Sequence, residues 1–63
     1  MCLSTVYKDT MEPQNIAMKN VMRIECREHS VVLTDLMDRT LEIPGKLREA
    51  NLVDGFVIVE THE

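Results

Sequence analysis

Met22-Arg23-Ile24-Glu25-Cys26-Arg27 alternates apolar and charged side chains without interruption. Successive side chains of a strand point to opposite faces, so this period of two describes a half-buried β-strand that turns Cys26 toward the core. Working outward, Glu28-His29 reads as a hairpin turn, and residues 30–36 return with Val31 and Leu33 on the buried face. Asp35 to Arg39 turns again, and residues 40–43 follow with Leu41 and Ile43 inward. Pro44-Gly45 is expected to end that strand, because proline removes a donor and glycine permits positive φ.

Upstream, residues 2–8 read as a strand, with Cys2, Ser4 and Val6 on one face and Leu3, Thr5 and Tyr7 on the other. Lys8 to Pro13 is a polar connection, where Pro13 bars a central-strand position. Residues 15–18 read as a short strand or a turn with a bulge. Downstream, residues 46–51 can make a helical turn, but Asp54-Gly55 favours the type I′ turn of a hairpin. Residues 50–53 and 56–60 are therefore read as its two strands. Phe56-Val57-Ile58-Val59 is apolar on both faces. One face fills the core and the other needs a cover, for which a second subunit is expected. Six short strands joined by tight turns define an all-β fold: a small antiparallel meander barrel or sandwich of SH3-like scale. Its expected core includes Ile24, Leu33, Leu41, Ile43 and Ile58. Five methionines suit an irregular core or an interface.

At 63 residues the chain is read as a single small β-barrel domain spanning 1–63. A domain of this size buries only about 60% of the surface its unfolded chain exposes, so it leans on metals, disulfides or oligomerisation. Two cysteines do not make a disulfide scaffold. The start lacks the basic and apolar regions of a signal peptide. The longest apolar run is four residues, Phe56 to Val59, too short to span a membrane. These features point to the cytoplasm, where both thiols stay reduced and Cys2 and Cys26 are not expected to pair. A net charge of −4 and no block of lysines or arginines argue against nucleic acid, which calls for a basic face. One Tyr and one Phe make a thin base-stacking platform.

The chemistry concentrates at Met1-Cys2. The Cys2 thiolate, the Cys2 backbone nitrogen and the Met1 amine can close two adjacent five-membered chelate rings on one metal ion. If Met1 is removed, the Cys2 amine and thiolate still close one ring. A soft thiolate with nitrogen in a planar chelate suits nickel or copper, whereas zinc prefers four tetrahedral ligands. Cys2 also fits as a small hydrophobe opening an edge strand. Cys26-x-x-His29 has metal-like spacing but lacks a second pair, so Cys26 reads as core and His29 as turn. His62 follows the last strand in a terminal tail. Glu25, Glu28, Glu42 and Glu49 read as a solvated outer face. No Ser-His-Asp order, phosphate-cradling glycine loop or paired-carboxylate site is legible. The chain reads as a binding or delivery protein, not an enzyme.

The start Met-Cys-Leu-Ser-Thr-Val-Tyr resembles the CooT family, as do the charged turn, the alternating strand, Leu41-Glu42-Ile43-Pro44-Gly45 and the closing Asp54-Gly55 hairpin. These are small nickel-binding proteins linked to carbon monoxide dehydrogenase maturation. The resemblance implies a homodimer of small barrels that binds one Ni(II) through Cys2 of each subunit, with a nickel enzyme as client. HypC-type maturation chaperones, which also begin Met-Cys-Leu, are the nearest alternative. They typically carry a proline soon after that cysteine, where this chain has Ser4-Thr5-Val6, and a C-terminal helix not legible here. A small RNA-binding barrel ranks third.

Overall fold

The structure is a computed structural model that describes residues 3–61. Five strands, β1 (Ser4–Lys8), β2 (Ile16–Cys26), β3 (Ser30–Asp35), β4 (Thr40–Asn51) and β5 (Phe56–Thr61), follow one another, with a 3₁₀ turn at Pro13–Asn15. They close into a barrel in the order β1-β2-β3-β4-β5. The all-β barrel expected from the turn spacing is present, and each strand pairs antiparallel with the next. The seam between β1 and β5 is parallel. This follows from the strand count: in an up-and-down meander of five, the first and last strands run the same way.

Five strands replace six because two of them are long and bend. Residues 15–18 and 22–27, read as separate pieces, belong mainly to the single strand β2. Its first half pairs with β1 through Ile16, Met18 and Val21, and its second half pairs with β3 from Val21 to Cys26. The polar pair Lys19-Asn20 hides this continuity in the sequence. Asn20 takes φ of 57°, and Met22 is the extra residue of a bulge between Val21 and Arg23. Likewise, Pro44-Gly45 does not end β4. Pro44 is opposite Ser30 of β3, and Gly45 is opposite Thr61 of β5, so the dipeptide marks where β4 passes from one neighbour to the other. No helical turn forms over 46–51; those residues continue the strand to Asn51.

The last hairpin also departs from the two-residue turn. Leu52–Gly55 form a four-residue turn in which the Gly55 N–H donates to the Asn51 carbonyl at 2.9 Å. The Asn51 side-chain oxygen accepts from the Val53 and Asp54 N–H groups at 3.1 and 2.9 Å. Asn51 thus organises the turn by mimicking a backbone carbonyl, and Gly55 supplies the φ of 78° that closes it.

Val6, Val21, Val31, Leu33, Ile43, Val57 and Val59 form the buried core, with Ala17, Met18, Ile24 and Leu41 packed against it. Leu33 and Ile43 are where the period of two put them, and Ile24 and Leu41 line the edge. Ile58 is not in the core. Val57 is the parallel partner of inward-facing Val6, so Val57 and Val59 face in and Ile58 lies beside Tyr7, half-buried. Cys26 is exposed rather than buried, because β2 ends there at the rim of the barrel.

A polar latch closes the parallel seam. Asp9, at φ of 68°, accepts the Thr61 N–H at 2.9 Å on one carboxylate oxygen and the Thr61 hydroxyl at 2.8 Å on the other. Its N–H donates to the Val59 carbonyl at 2.8 Å, and its own carbonyl accepts from Arg48 at 2.7 Å. These bonds hold the carboxyl below its ordinary range, the Thr61 backbone bond being the largest cause.

Candidate functional site

Cys2, Met1 and His62 lie outside the described residues, which start at Leu3, just before β1. Ser4 is buried and pairs with Val21 of β2, and the Thr5 N–H donates to the Gly55 carbonyl at 3.0 Å. These bonds fix the start of β1 between the middle of β2 and the β4–β5 turn. A concavity of about 190 Å³ opens there, between Ser4, Met22, Arg23 and Ile24 on one wall and Ala50, Leu52 and Val57 on the other. Its lining is mixed, with the Arg23 side chain beside exposed Met22 and Leu52, which are 48% and 68% accessible. Leu3 lies beside the Gly55 turn.

Among the described residues no three His, Cys, Asp or Glu side chains come together to hold a metal ion. Cys26 ends β2 and His29 lies in the turn that follows, which is closed by the Arg27 N–H donating to the Ser30 carbonyl at 2.8 Å. His29 is solvent-exposed beside Glu28, with 3.9 Å between Nε2 and the carboxylate. Cys26-x-x-His29 is thus a rim cysteine and a turn histidine. The glutamates behave as a solvated face: Glu25 lies between Arg23 and Arg27 at 3.9 and 3.5 Å, and Glu42 accepts the Ser30 hydroxyl at 2.6 Å.

Asp35 is the acidic group that the sequence pattern did not single out. It is 2% exposed, and its carboxylate accepts the Met37 and Arg39 N–H groups and the Arg39 Nε at 2.9, 2.9 and 2.8 Å. The Arg39 backbone bond is the largest of the causes that lower its pKa, against a desolvation that raises it. Its bonds are all internal to the β3–β4 turn, so its work is structural. The legible signal was an aspartate opening a five-residue turn, where an Asx side chain caps the following N–H groups. The shallow concavity beside it, about 470 Å³ between Met18, Lys19 and Asn20 of β2 and Arg39, finds that carboxylate already committed.

The fold class is a small closed β-barrel of five strands. The family model described as CO dehydrogenase accessory protein CooT matches residues 1–60. An uncharacterized protein of Methanothermobacter thermautotrophicus strain Delta H is 33% identical over 63 residues, covering all of this chain and 94% of that protein. A crystal structure assigned to CooT from Carboxydothermus hydrogenoformans matches with a TM-score of 0.83 at 16% identity, covering 98% of this chain and all of that one. At that identity the likeness is one of fold. The chain belongs to the CooT family of CO dehydrogenase accessory proteins, which are not themselves enzymes. The HypC-type alternative gives way to that match. No helix among the described residues is long and apolar enough to cross a membrane.

Proposed function

We propose that this chain binds Ni(II) as cargo through Cys2, in a site shared by two copies, in support of CO dehydrogenase or another nickel enzyme. The observation that carries the reading is the family match, which runs through the Met1-Cys2 start. The family's client is a nickel enzyme. The donor chemistry agrees with that cargo. The Cys2 thiolate and backbone nitrogen, with the Met1 amine, supply a planar set of the kind nickel takes. One chain supplies at most three donors and leaves a square-planar ion one short. Two chains meeting at their starts supply two thiolates and two nitrogens, so the functional unit is a homodimer. Its compartment is the cytoplasm, where the thiols remain reduced.

The test is nickel titration of protein purified without an affinity tag, with intact mass reporting on Met1. One nickel per two chains, thiolate-to-metal charge-transfer absorption and proton release are expected, since the thiols must ionise. Cys2→Ser abolishes binding and leaves the fold intact, whereas Cys26→Ala keeps the site. One nickel per chain would favour separate chelates. Unchanged nickel affinity in Cys2→Ser would remove the reading altogether.

A further inference from the structure

The first half of β2 is paired on one side only. Ile16, Met18 and Val21 pair with β1, whereas pairing with β3 begins at Val21 opposite Asp35. One further bond, from the Leu36 N–H to the Asn20 carbonyl at 2.9 Å, ties the β3–β4 turn to β2. Along Ala17 to Lys19 no strand lies on the β3 side among the described residues. The concavity of about 470 Å³ runs beside this stretch, lined by Ala17 to Asn20 of β2 and by Asp35 and Arg39 of the turn. An unmatched strand edge beside open space is a template for an added strand.

We infer that this edge takes an extended, acidic segment of a partner protein as an added strand. The charge beside the edge selects the occupant. Arg39 is exposed and donates through Nε to buried Asp35 at 2.8 Å. That bond fixes its guanidinium and leaves the terminal nitrogens without a protein partner among the described residues. Lys19 is exposed and forms no ion pair among the described residues. A carboxylate on the added strand meets a guanidinium already held in place, which favours a charge-assisted, two-point bond. Leu36 and Met37, 52% and 73% exposed in the same turn, offer adaptable apolar contact to the segment's other side chains. Asp38, the remaining carboxylate of the turn, does not line the concavity.

Other occupants fit this edge less well. A second copy would bring its own Lys19 and Arg39 against these two, setting like charges together. A small ligand is enclosed over most of its surface in its site, which a shallow concavity does not do. An anionic membrane is held by clusters of about four to eight basic side chains, and two cations on a chain of net charge −4 do not make one. Lys19 keeps the edge from pairing with itself and leaves it open to a strand of opposite charge. The surface stands independently of Cys2 and of any metal.

Amide NMR of the isotope-labelled protein, titrated with a short peptide of alternating valine and glutamate, reads the surface directly. Saturable shifts are expected at residues 16–20 and 35–39 and not along the rest of the barrel. Lys19→Glu turns an attraction into a repulsion and is expected to weaken binding by about fivefold or more. Asp38→Asn removes the opposing charge and strengthens it. The same peptide with lysine in place of glutamate should not bind. Nor should the glutamate peptide with alternate backbone nitrogens methylated, because it cannot donate to the edge. Far-UV circular dichroism checks that each variant is folded. An absence of saturable shifts, shifts elsewhere, equal affinity in Lys19→Glu, or binding that survives backbone methylation would each overturn the proposal. So would phosphatidylserine vesicles that shift the same amides and displace the peptide, which would make the surface a membrane contact. Cys2→Ser leaves peptide binding unchanged, so loss of nickel binding and loss of this surface are read separately.

Discussion

Gly45→Ala tests whether β4 is a single strand handed from β3 to β5. Gly45 has φ of 154°, and an added Cβ would fall directly on the Glu60 carbonyl oxygen, with the Glu60 carbonyl carbon and Thr61 Cα each 3.0 Å away. All three atoms are backbone of the neighbouring strand, so no side chain can move aside. Relief requires shifting β5 away from β4 next to the Asp9–Thr61 latch. A strained backbone region costs about 1–3 kcal/mol for a residue with a side chain. Forcing extra volume into a packed contact costs about 1–3 kcal/mol more. The total of about 2–6 kcal/mol compares with about 3–9 kcal/mol expected for the stability of a 63-residue domain. Urea unfolding followed by far-UV circular dichroism should show a large fall in the midpoint. Gly55→Ala is the control: its Cβ would meet only the Leu3 carbonyl oxygen at 3.6 Å, leaving the φ of 78° as the strain. It should lose about 1–2 kcal/mol. A Gly45→Ala midpoint equal to the wild type, or above that of Gly55→Ala, would refute the handover.

The two capped aspartates set an acid limit. Asp9 and Asp35 both have folded-state pKa values below the ordinary 3.8, so they stabilise the fold above that value and lose the contribution as pH falls through the lowered one. Urea midpoints measured across pH should show this contribution constant above about pH 5 and lost below 4. Asp35→Asn should flatten that acid limb; an unchanged limb would deny the turn carboxylate its role. At the core, Leu33→Ala should cost about 2–5 kcal/mol because Leu33 is fully buried. A loss under 1 kcal/mol would mean that the barrel centre is not where the valines converge.

The fold was legible where one face of a strand alone carries the burial. Val31 and Leu33 stand two apart on β3, Leu41 and Ile43 flank Glu42 on β4, and Val31, Leu33 and Ile43 are buried. It was not legible where a strand changes neighbours, because a bulge shifts the period without any residue announcing it. Met22 looked like the first inward residue of a strand, yet it is the extra residue of the bulge and half-exposed. Pro44-Gly45 carries the composition of a stop. Glycine is needed there because two backbones come too close for a Cβ, a fact about β5 that no local window around residue 45 contains. Phe56 to Val59 is apolar on both faces, so its orientation came only from the parallel pairing with β1. The metal reading came from another source, the chemistry available at an amino terminus and a family resemblance. Neither depends on knowing the strand register.

The bends that hid the topology are also what let so few strands close a barrel. In this five-stranded barrel, long β2 and β4 each serve two neighbours in turn, so among the described residues neither is paired on both sides along its whole length. At the seam near residue 61 the barrel secures itself, with the Asp9 carboxylate spanning 52 positions of sequence to reach Thr61. At the opposite end β1 begins at Ser4, opposite Val21 of β2, and Leu3 lies just before it, close to the Gly55 turn. The barrel is therefore secured by two long strands that change neighbours and by one polar latch at its parallel seam.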